Sequence, residues 1–339
     1  MRGAARLRRL VSRPQPPGPP PELVTITAED REYLTKLYQD TVPLPARAQE
    51  LTPDHPELVE LRTAYASLEL PVLDRSRWQE GAVNSFLDLR WFRGETLFVW
   101  HYREIPRISR LKYYVYARYV KDRDHLGLLD RLEEDGMFGC WTFSYPGWGE
   151  VSRDLLQSVN EISFLDRLLH ISERPGLRVL DIGAGYGRLA HRMTTALPDL
   201  GDYCCTDVVP EATFLSRWYL DYRGCSPPAR VVRLDRLDSE LRPGAFDLAV
   251  NMHSFSECPL AAIQWWIDML ARLEIPYVLI VPNEPQELLS TELDGARQDF
   301  GSLLTGAGYT LEHREPVIDD PAVQELIPLR DHFHLFKRA

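Results

Sequence analysis

Cysteine is sparse in this chain of 339 residues: Cys140, Cys204, Cys205, Cys225 and Cys258 make an odd set of five. None stands at C-x-x-C spacing, so neither a disulfide framework nor a zinc site is written in the sequence. Reduced thiols in a cytoplasm are the simplest account. Basic residues are also in deficit, 39 Lys and Arg against 50 Asp and Glu, for a formal net charge of -11. Phosphate binding relies on clustered Lys and Arg over a broad surface, so a nucleic-acid partner is not expected. Missing too is any apolar run near the roughly 20 residues that span a bilayer, so no membrane partner is expected. Acids and histidines do not cluster at ligand spacing, and no metal site is readable. A magnesium ion held by distant loops would leave no such trace. None of these shortages bears on self-association, and a homo-oligomer stays open.

What is present begins with 44% hydrophobic content, enough for the core of a soluble globular protein. The chain opens on Arg2, Arg6, Arg8, Arg9 and Arg13 with no acid, followed by Pro14, Pro16, Pro17, Pro19, Pro20 and Pro21. Such a start resembles a transit peptide, while the missing apolar stretch rules against a secretory signal. The plainer reading of residues 1–27 is a disordered basic tail closed by a proline-rich spacer. Residues 28–150 show helical periodicity at Arg31 to Gln39, Glu57 to Leu68 and Arg110 to Val120, and read as a mainly helical subdomain serving as lid or substrate part. Its Trp78, Trp91, Trp100, Tyr102, Tyr113, Tyr114, Tyr116 and Trp141 would either stack on sugar rings or fill the subdomain's core. For each residue alone the core is the plainer reading.

Residues 151–339 change character. A helix from Val151 to about Ile171 aligns Leu155, Val159, Ile162, Leu165 and Leu169 on one stripe and Arg153, Gln157 and Glu161 on another. The polar stripe reads as a solvated face, although Arg153 could touch a ligand carboxylate because the helix abuts a glycine turn. Strands are expected at Arg178 to Ile182, Asp202 to Thr206, Arg230 to Leu234, Phe246 to Asn251 and Tyr277 to Val281, with a late pair at Tyr309 to Arg314 and His332 to Lys337. Alternation with helices predicts an α/β fold, a Rossmann-like doubly wound sheet with helices on both faces.

The most informative stretch is Arg178-Val179-Leu180-Asp181-Ile182-Gly183-Ala184-Gly185-Tyr186-Gly187-Arg188. A buried strand runs into a turn where Gly183, Gly185 and Gly187 remove side chains, then into a helix whose first N–H groups favour a carboxylate. Asp207, about 20 residues on at the end of the second strand, stands where this kind of fold holds a ribose diol. A dinucleotide site would read G-x-G-x-x-G, but here the third glycine comes one residue early and Arg188 takes its place. A structural turn with no ligand is the remaining alternative.

That register resembles motif I of the class I S-adenosylmethionine (SAM) dependent methyltransferases, E/D-x-G-x-G-x-G, with Asp181 as its acid. An antiparallel last strand after a parallel core is the order the resemblance implies. Three further stretches resemble the sugar O-methyltransferase family. They are Leu128-Leu129-x-x-Leu132-Glu133-Glu134-Asp135-Gly136-x-Phe138-Gly139, Ser152-Arg153-Asp154-Leu155-Leu156-x-Ser158-x-Asn160-Glu161-Ile162-x-Phe164-Leu165 and Asn251-x-His253-Ser254-Phe255-x-Glu257. The likeness runs from about Trp78 to the C-terminus, and the basic tail has no counterpart in it. It implies SAM as cofactor, bound by Asp181, Gly183, Gly185, Gly187 and Asp207, with the His253 to Glu257 loop facing the acceptor; Asn251 and, from its place on the helix before the glycine turn, Arg153 are further cofactor candidates. The acceptor would be a hydroxyl of a sugar or glycosylated small molecule. The sequence Thr206-Asp207-Val208-Val209-Pro210 departs from many relatives and leaves the loop after the second strand open.

Ligands in such sheets lie beyond the carboxyl ends of the strands. After the third, Asp235 would accept the adenine amino group or serve as a turn acid beside Arg236. After the fourth comes His253. Methylating a hydroxyl needs a general base near the attacking oxygen, and an imidazole suits that task at neutral pH. Glu257 would face His253 across one helical turn, to orient the ring or act as the base itself, although Ser254-x-x-Glu257 also has capping-box spacing. After the fifth, Asn283 and Glu284 would bind substrate hydroxyls or simply form the turn. His332 and His334 alternate on the last strand and read as surface or packing residues. Two other functions fit the same motifs: N- or C-methylation of a small metabolite, and SAM binding without catalysis.

Overall fold

Val179, Leu180 and Ile182 point to both sides of their strand, so they can be buried together only near the middle of a sheet covered on both faces. β1 (Arg178–Ile182) lies there, parallel to β2 (Asp202–Thr206) on one side and to β4 (Leu248–Met252) on the other. The computed structural model describes residues 44–79, 83, 87–93, 107–283, 287–327 and 329–339. The basic tail, the helix expected from Arg31 to Gln39, Trp100, Tyr102 and Glu284 lie outside the described residues.

Seven strands form one sheet in the order β3-β2-β1-β4-β5-β7-β6, where β3 is Ala229–Val231, β5 Tyr277–Val281, β6 Tyr309–Pro316 and β7 His332–Arg338. β7 runs antiparallel between β5 and β6. This is the Rossmann-like sheet of the class I methyltransferase fold. The order reverses at the β1–β4 junction, the point beyond whose strand ends such sheets bind ligands.

The helices are α1 (Pro56–Ala66), α2 (Arg107–Lys121), α3 (Arg153–Leu169), α4 (Arg188–Ala196), α5 (Pro210–Tyr222), α6 (Leu237–Glu240), α7 (Leu260–Arg272), α8 (Gly301–Gly306) and α9 (Pro321–Leu326). Strand alternation divides the core in two. Leu180, Ile182, Cys204, Ala249, Val278 and Ile280 face one cluster, filled by α7 and by Leu58, Leu61 and Tyr65 of α1. Val179, Tyr203, Cys205, Leu248, Val250 and Leu279 face the other, filled by α2, α3 and α4. The described residues between 44 and 92 contribute to the first cluster directly, from Ala48 to Phe92 at 1% exposure each.

Several expectations shift. β3 ends at Val231, before the expected Leu234, because the chain turns into a 3-10 segment at Leu234–Arg236. β4 begins at Leu248, two residues later than expected. Asp247 is occupied at the strand's foot, accepting the backbone N–H and guanidinium of Arg178. α3 begins at Arg153 because Ser152 caps it through the Leu155 N–H, while Val151 pairs with Phe143. Its polar stripe is not a solvated face: Glu161 is buried, 2.9 Å from Arg188 Nη2.

Candidate active site

The turns after β1, β2 and β4 touch one another at the β1–β4 junction, and their polar contacts differ in kind. Gly183, Gly185 and Gly187 all have positive φ, at 72°, 59° and 85°. A Cβ on Gly183 would lie 2.3 Å from Ser254 Oγ, and one on Gly187 would lie 3.0 Å from Ser216 Oγ. The turn is therefore glycine-rich so that it can pass close to its own neighbours. Its amides are engaged with β2: Gly183 and Ala184 donate to the Thr206 carbonyl, and Gly185 donates to Asp207 Oδ2 at 3.0 Å.

Asp207 also accepts the Val209 N–H at 2.9 Å. Burial pushes its carboxyl up to about 6 despite those amides and the nearby charge of Arg75. Asp181 accepts the Tyr203 hydroxyl at 2.9 Å. Burial pushes it up to about 7, against the pull of Tyr203 and Arg188, with Glu161 and Asp207 adding repulsion. Among the described residues neither carboxylate has an ion-pair partner. Thr206 Oγ1, at the end of β2, is buried with no hydrogen-bond partner among them.

Asn251, the penultimate residue of β4, bridges the junction. Its Nδ2 donates to the Ile182 carbonyl at 2.8 Å and its Oδ1 accepts the Phe255 N–H at 2.9 Å. The turn after β4 is thus capped by Asn251, not by the Ser254-x-x-Glu257 box expected from spacing, and it is a 3-10 segment, Ser254–Glu257.

His253 sits in the left-handed region at φ 69°, costly for a residue with a side chain, and its N–H donates to the Val281 carbonyl at 2.7 Å. The His253 side chain is 20% exposed, while its Nδ1 is buried and without a hydrogen-bond partner among the described residues. Asp331 Oδ2 lies 3.8 Å from it, beyond hydrogen-bond length. Burial, then the guanidiniums of Arg153 and Arg188, depress the imidazole to about 3, opposed by the Asn283 side chain. The ring is therefore neutral near pH 7. Tyr116 of α2 carries a second orphan: its hydroxyl is buried and unpartnered among the described residues, in the field of Glu161, Arg153 and Arg188.

Glu257 makes no hydrogen bond to His253 among the described residues. Its Oε2 accepts the Trp78 indole N–H at 2.5 Å, and its Oε1 accepts Asn283 Nδ2 at 3.1 Å and Arg77 at 3.4 Å. Its carbonyl takes the Ser76 hydroxyl at 2.7 Å. Burial pushes this carboxyl up against those donors. The side chain fastens a strap, residues 75–78, whose Arg75 reaches toward Asp207. Asp235, 17% exposed, pairs with Arg233 Nε at 3.0 Å. Arg153 is the partly buried first residue of α3, within electrostatic reach of His253. Of the histidines on β7, His334 is buried and His332 partly buried. Among the described residues no three of His, Cys, Asp and Glu gather as a metal site.

Asp331, Tyr116 as a hydroxyl, Arg75 and the strap were not singled out from the sequence as site residues. Trp78 and Tyr116 entered only among the aromatics expected to stack on sugar rings or fill a core, as rings rather than polar tips.

The arrangement suits a cationic ligand. Two buried carboxylates with elevated values gain from a nearby positive charge and would repel a pyrophosphate. A SAM molecule, with its sulfonium and ammonium, meets that demand, and Asp207 retains unshared lone pairs for a diol.

No protein-family model and no curated protein matches the chain. Solved structures do. A SAM-dependent methyltransferase from Mesorhizobium loti matches at 14% identity, covering 51% of this chain and 97% of its own, with a TM-score of 0.38. One from Aquifex aeolicus matches at 18% identity, over 51% and 87%, also with a TM-score of 0.38. Magnesium protoporphyrin IX methyltransferase from Synechocystis PCC 6803, with bound SAM, matches at 11% identity over 70% and 100%, with a TM-score of 0.40. Likeness at that level says nothing of a substrate or cofactor for this chain.

Proposed function

We propose that the chain is a SAM-dependent methyltransferase acting on a hydroxyl of a sugar or glycosylated small molecule, with His253 as general base. The observation that carries the cofactor is the carboxylate pair Asp181 and Asp207, pushed up to about 7 and about 6 beside a glycine turn. Asp207 would take the ribose diol through its remaining lone pairs, and Asp181 would set the negative field under the turn. Gly183, Gly185 and Gly187 let the turn lie flat, and Asn251 fixes the β1–β4 junction above which the ligand would rest. Asp235, steadied by Arg233, would meet the adenine amino group, and Arg153 the carboxylate of the methionine half.

When bound, SAM supplies an electrophilic methyl group on a sulfonium. The chain's part is to align an acceptor oxygen with it, take away the hydroxyl proton and exclude water. A neutral, partly exposed imidazole just after β4 fits the second task. Glu257, with both oxygens bonded to the strap and to Asn283, is assigned to holding that strap over the site rather than to proton transfer. The saccharide acceptor is supported by the resemblance of residues 128–139, 152–165 and 251–257 alone.

The depressed value of His253 favours one second reading, methylation of a nitrogen or carbon, since a neutral amine needs less help from a base. Loss of turnover in His253→Ala on a hydroxyl acceptor would decide for the first reading. The test of the whole proposal is calorimetric titration with SAM and S-adenosylhomocysteine, with Asp207→Ala as control. Micromolar binding, lost in the variant, is expected. A well-folded protein that binds neither compound removes the proposal.

A further inference from the structure

A base at His253 meets a difficulty that the surrounding fold addresses. Burial and two guanidiniums depress the ring to about 3, so it takes up a proton poorly unless something favours the protonated form as transfer occurs. The groups facing the ring are Arg153 from α3, Arg188 from α4, Asn283 after β5 and Asp331 just before β7. Of these four only Asp331 carries negative charge.

Asp331 is placed for that task. Its Oδ2 stands 3.8 Å from Nδ1, the ring atom that is buried without a hydrogen-bond partner, and its side chain is 13% exposed. Backbone bonds hold both residues: the His253 N–H donates to Val281, and the Asp331 carbonyl accepts the Val317 N–H at 2.9 Å. A movement of about 1 Å would bring the pair to hydrogen-bond length.

Resting on the methyltransferase reading above, we propose that Asp331 is the positioning residue of His253. It accepts a hydrogen bond from Nδ1–H, fixing the tautomer whose unprotonated Nε2 serves the acceptor. As the acceptor oxygen bonds the methyl carbon, the carbon–sulfur pair leaves with sulfur and the hydroxyl proton passes to Nε2. Asp331 then stabilises the imidazolium. It touches neither acceptor nor cofactor and acts through the ring.

The test is nitrogen NMR of the full chain labelled with 15N-histidine and saturated with S-adenosylhomocysteine, comparing wild type, His253→Gln for assignment, and Asp331→Asn. The asparagine amide can donate to Nδ1, so the ring is expected to move from mainly Nδ1–H to mainly Nε2–H. A role in folding alone would not move the tautomer. Wild-type ring signals in a folded Asp331→Asn protein would overturn the proposal. If that variant does not fold, Asp331→Glu replaces it: retained Nδ1–H supports the proposal, and Nε2–H overturns it. A tautomer shift in a chain that binds no S-adenosylhomocysteine would leave the pair standing and remove the methyltransferase reading. Binding without a shift would do the reverse.

Discussion

Two clusters of buried polar groups flank the first turn of α3, one reached through Ser152 and the other through Arg153, and they are finished differently. Around Glu134 the partners are complete. Its Oε2 takes Arg93 and Arg192, each at 2.8 Å, and the Ser152 hydroxyl at 2.6 Å, while its Oε1 takes the amides of Asp135 and Gly136. Burial alone would raise that carboxyl, yet the guanidiniums hold it well below the usual carboxylate range. In the field of Arg153 and Arg188, by contrast, His253 Nδ1 and the Tyr116 hydroxyl are buried without hydrogen-bond partners among the described residues, and His253 has a left-handed backbone. Under the proposed function the first cluster is architecture, and the second is what a bound ligand would complete.

The sharpest way to break this contrast is Glu134→Ala. It leaves Arg93, 1% exposed, and Arg192, 3% exposed, without their shared carboxylate. The expected loss is about 3–5 kcal/mol in urea unfolding. A loss under about 1 kcal/mol would mean that the closed cluster braces nothing. His253→Ala should do the opposite, lowering turnover on a hydroxyl acceptor about 100-fold or more while melting no earlier than wild type and binding SAM within about twofold. An unchanged rate would place the base elsewhere.

The carboxylate pair gives a pH test of intermediate size. Asp181 and Asp207 lie above their ordinary value of 3.8 in the folded state, so ionising them costs stability. That cost is absent below about 4 and grows as pH rises through 6 to 7. The ligand-free protein should accordingly gain stability from this pair on going from pH 7.5 to 5.5. A cationic ligand prefers both groups ionised, so SAM affinity should fall about tenfold over the same interval. Calorimetry showing flat affinity would detach the pair from the ligand. The smallest effect is expected from Tyr116→Phe. Removing an unpartnered buried hydroxyl should leave stability unchanged or raise it by no more than about 1 kcal/mol, while weakening ligand binding by a similar amount. A marked drop in melting temperature would show that the hydroxyl is bonded after all.

Much of the sheet was legible because its central strands are short apolar runs between turn residues. β1, β2 and β5 have the bounds expected, and the glycine turn sits where the pattern put it. Less of the site was legible, since its contacts join distant segments. Arg153, Gln157 and Glu161 recur with the period of a solvated face, and nothing local reveals that Arg188 closes over Glu161. The spacing of His253 and Glu257 suggests a facing pair only if an α-helix starts there. Asn251 instead draws that turn into a 3-10 segment, and Glu257 turns to Trp78. Asp331 belongs to no motif in the sequence, and only the antiparallel insertion of β7 beside β5 carries it to the end of β4.

Residues 44–92 fill the same apolar cluster as one face of the sheet, and this bears on how such a molecule can be inherited. A recombination that exchanged only the segment before α3 would uncover α5 and α7 on that face and take the strap from Glu257. The newcomer would have to match the old side chains in volume before it could offer any new specificity. Change in what the protein recognises should therefore accumulate by single substitutions in place, with the segment before α3 and the sheet descending together as one unit.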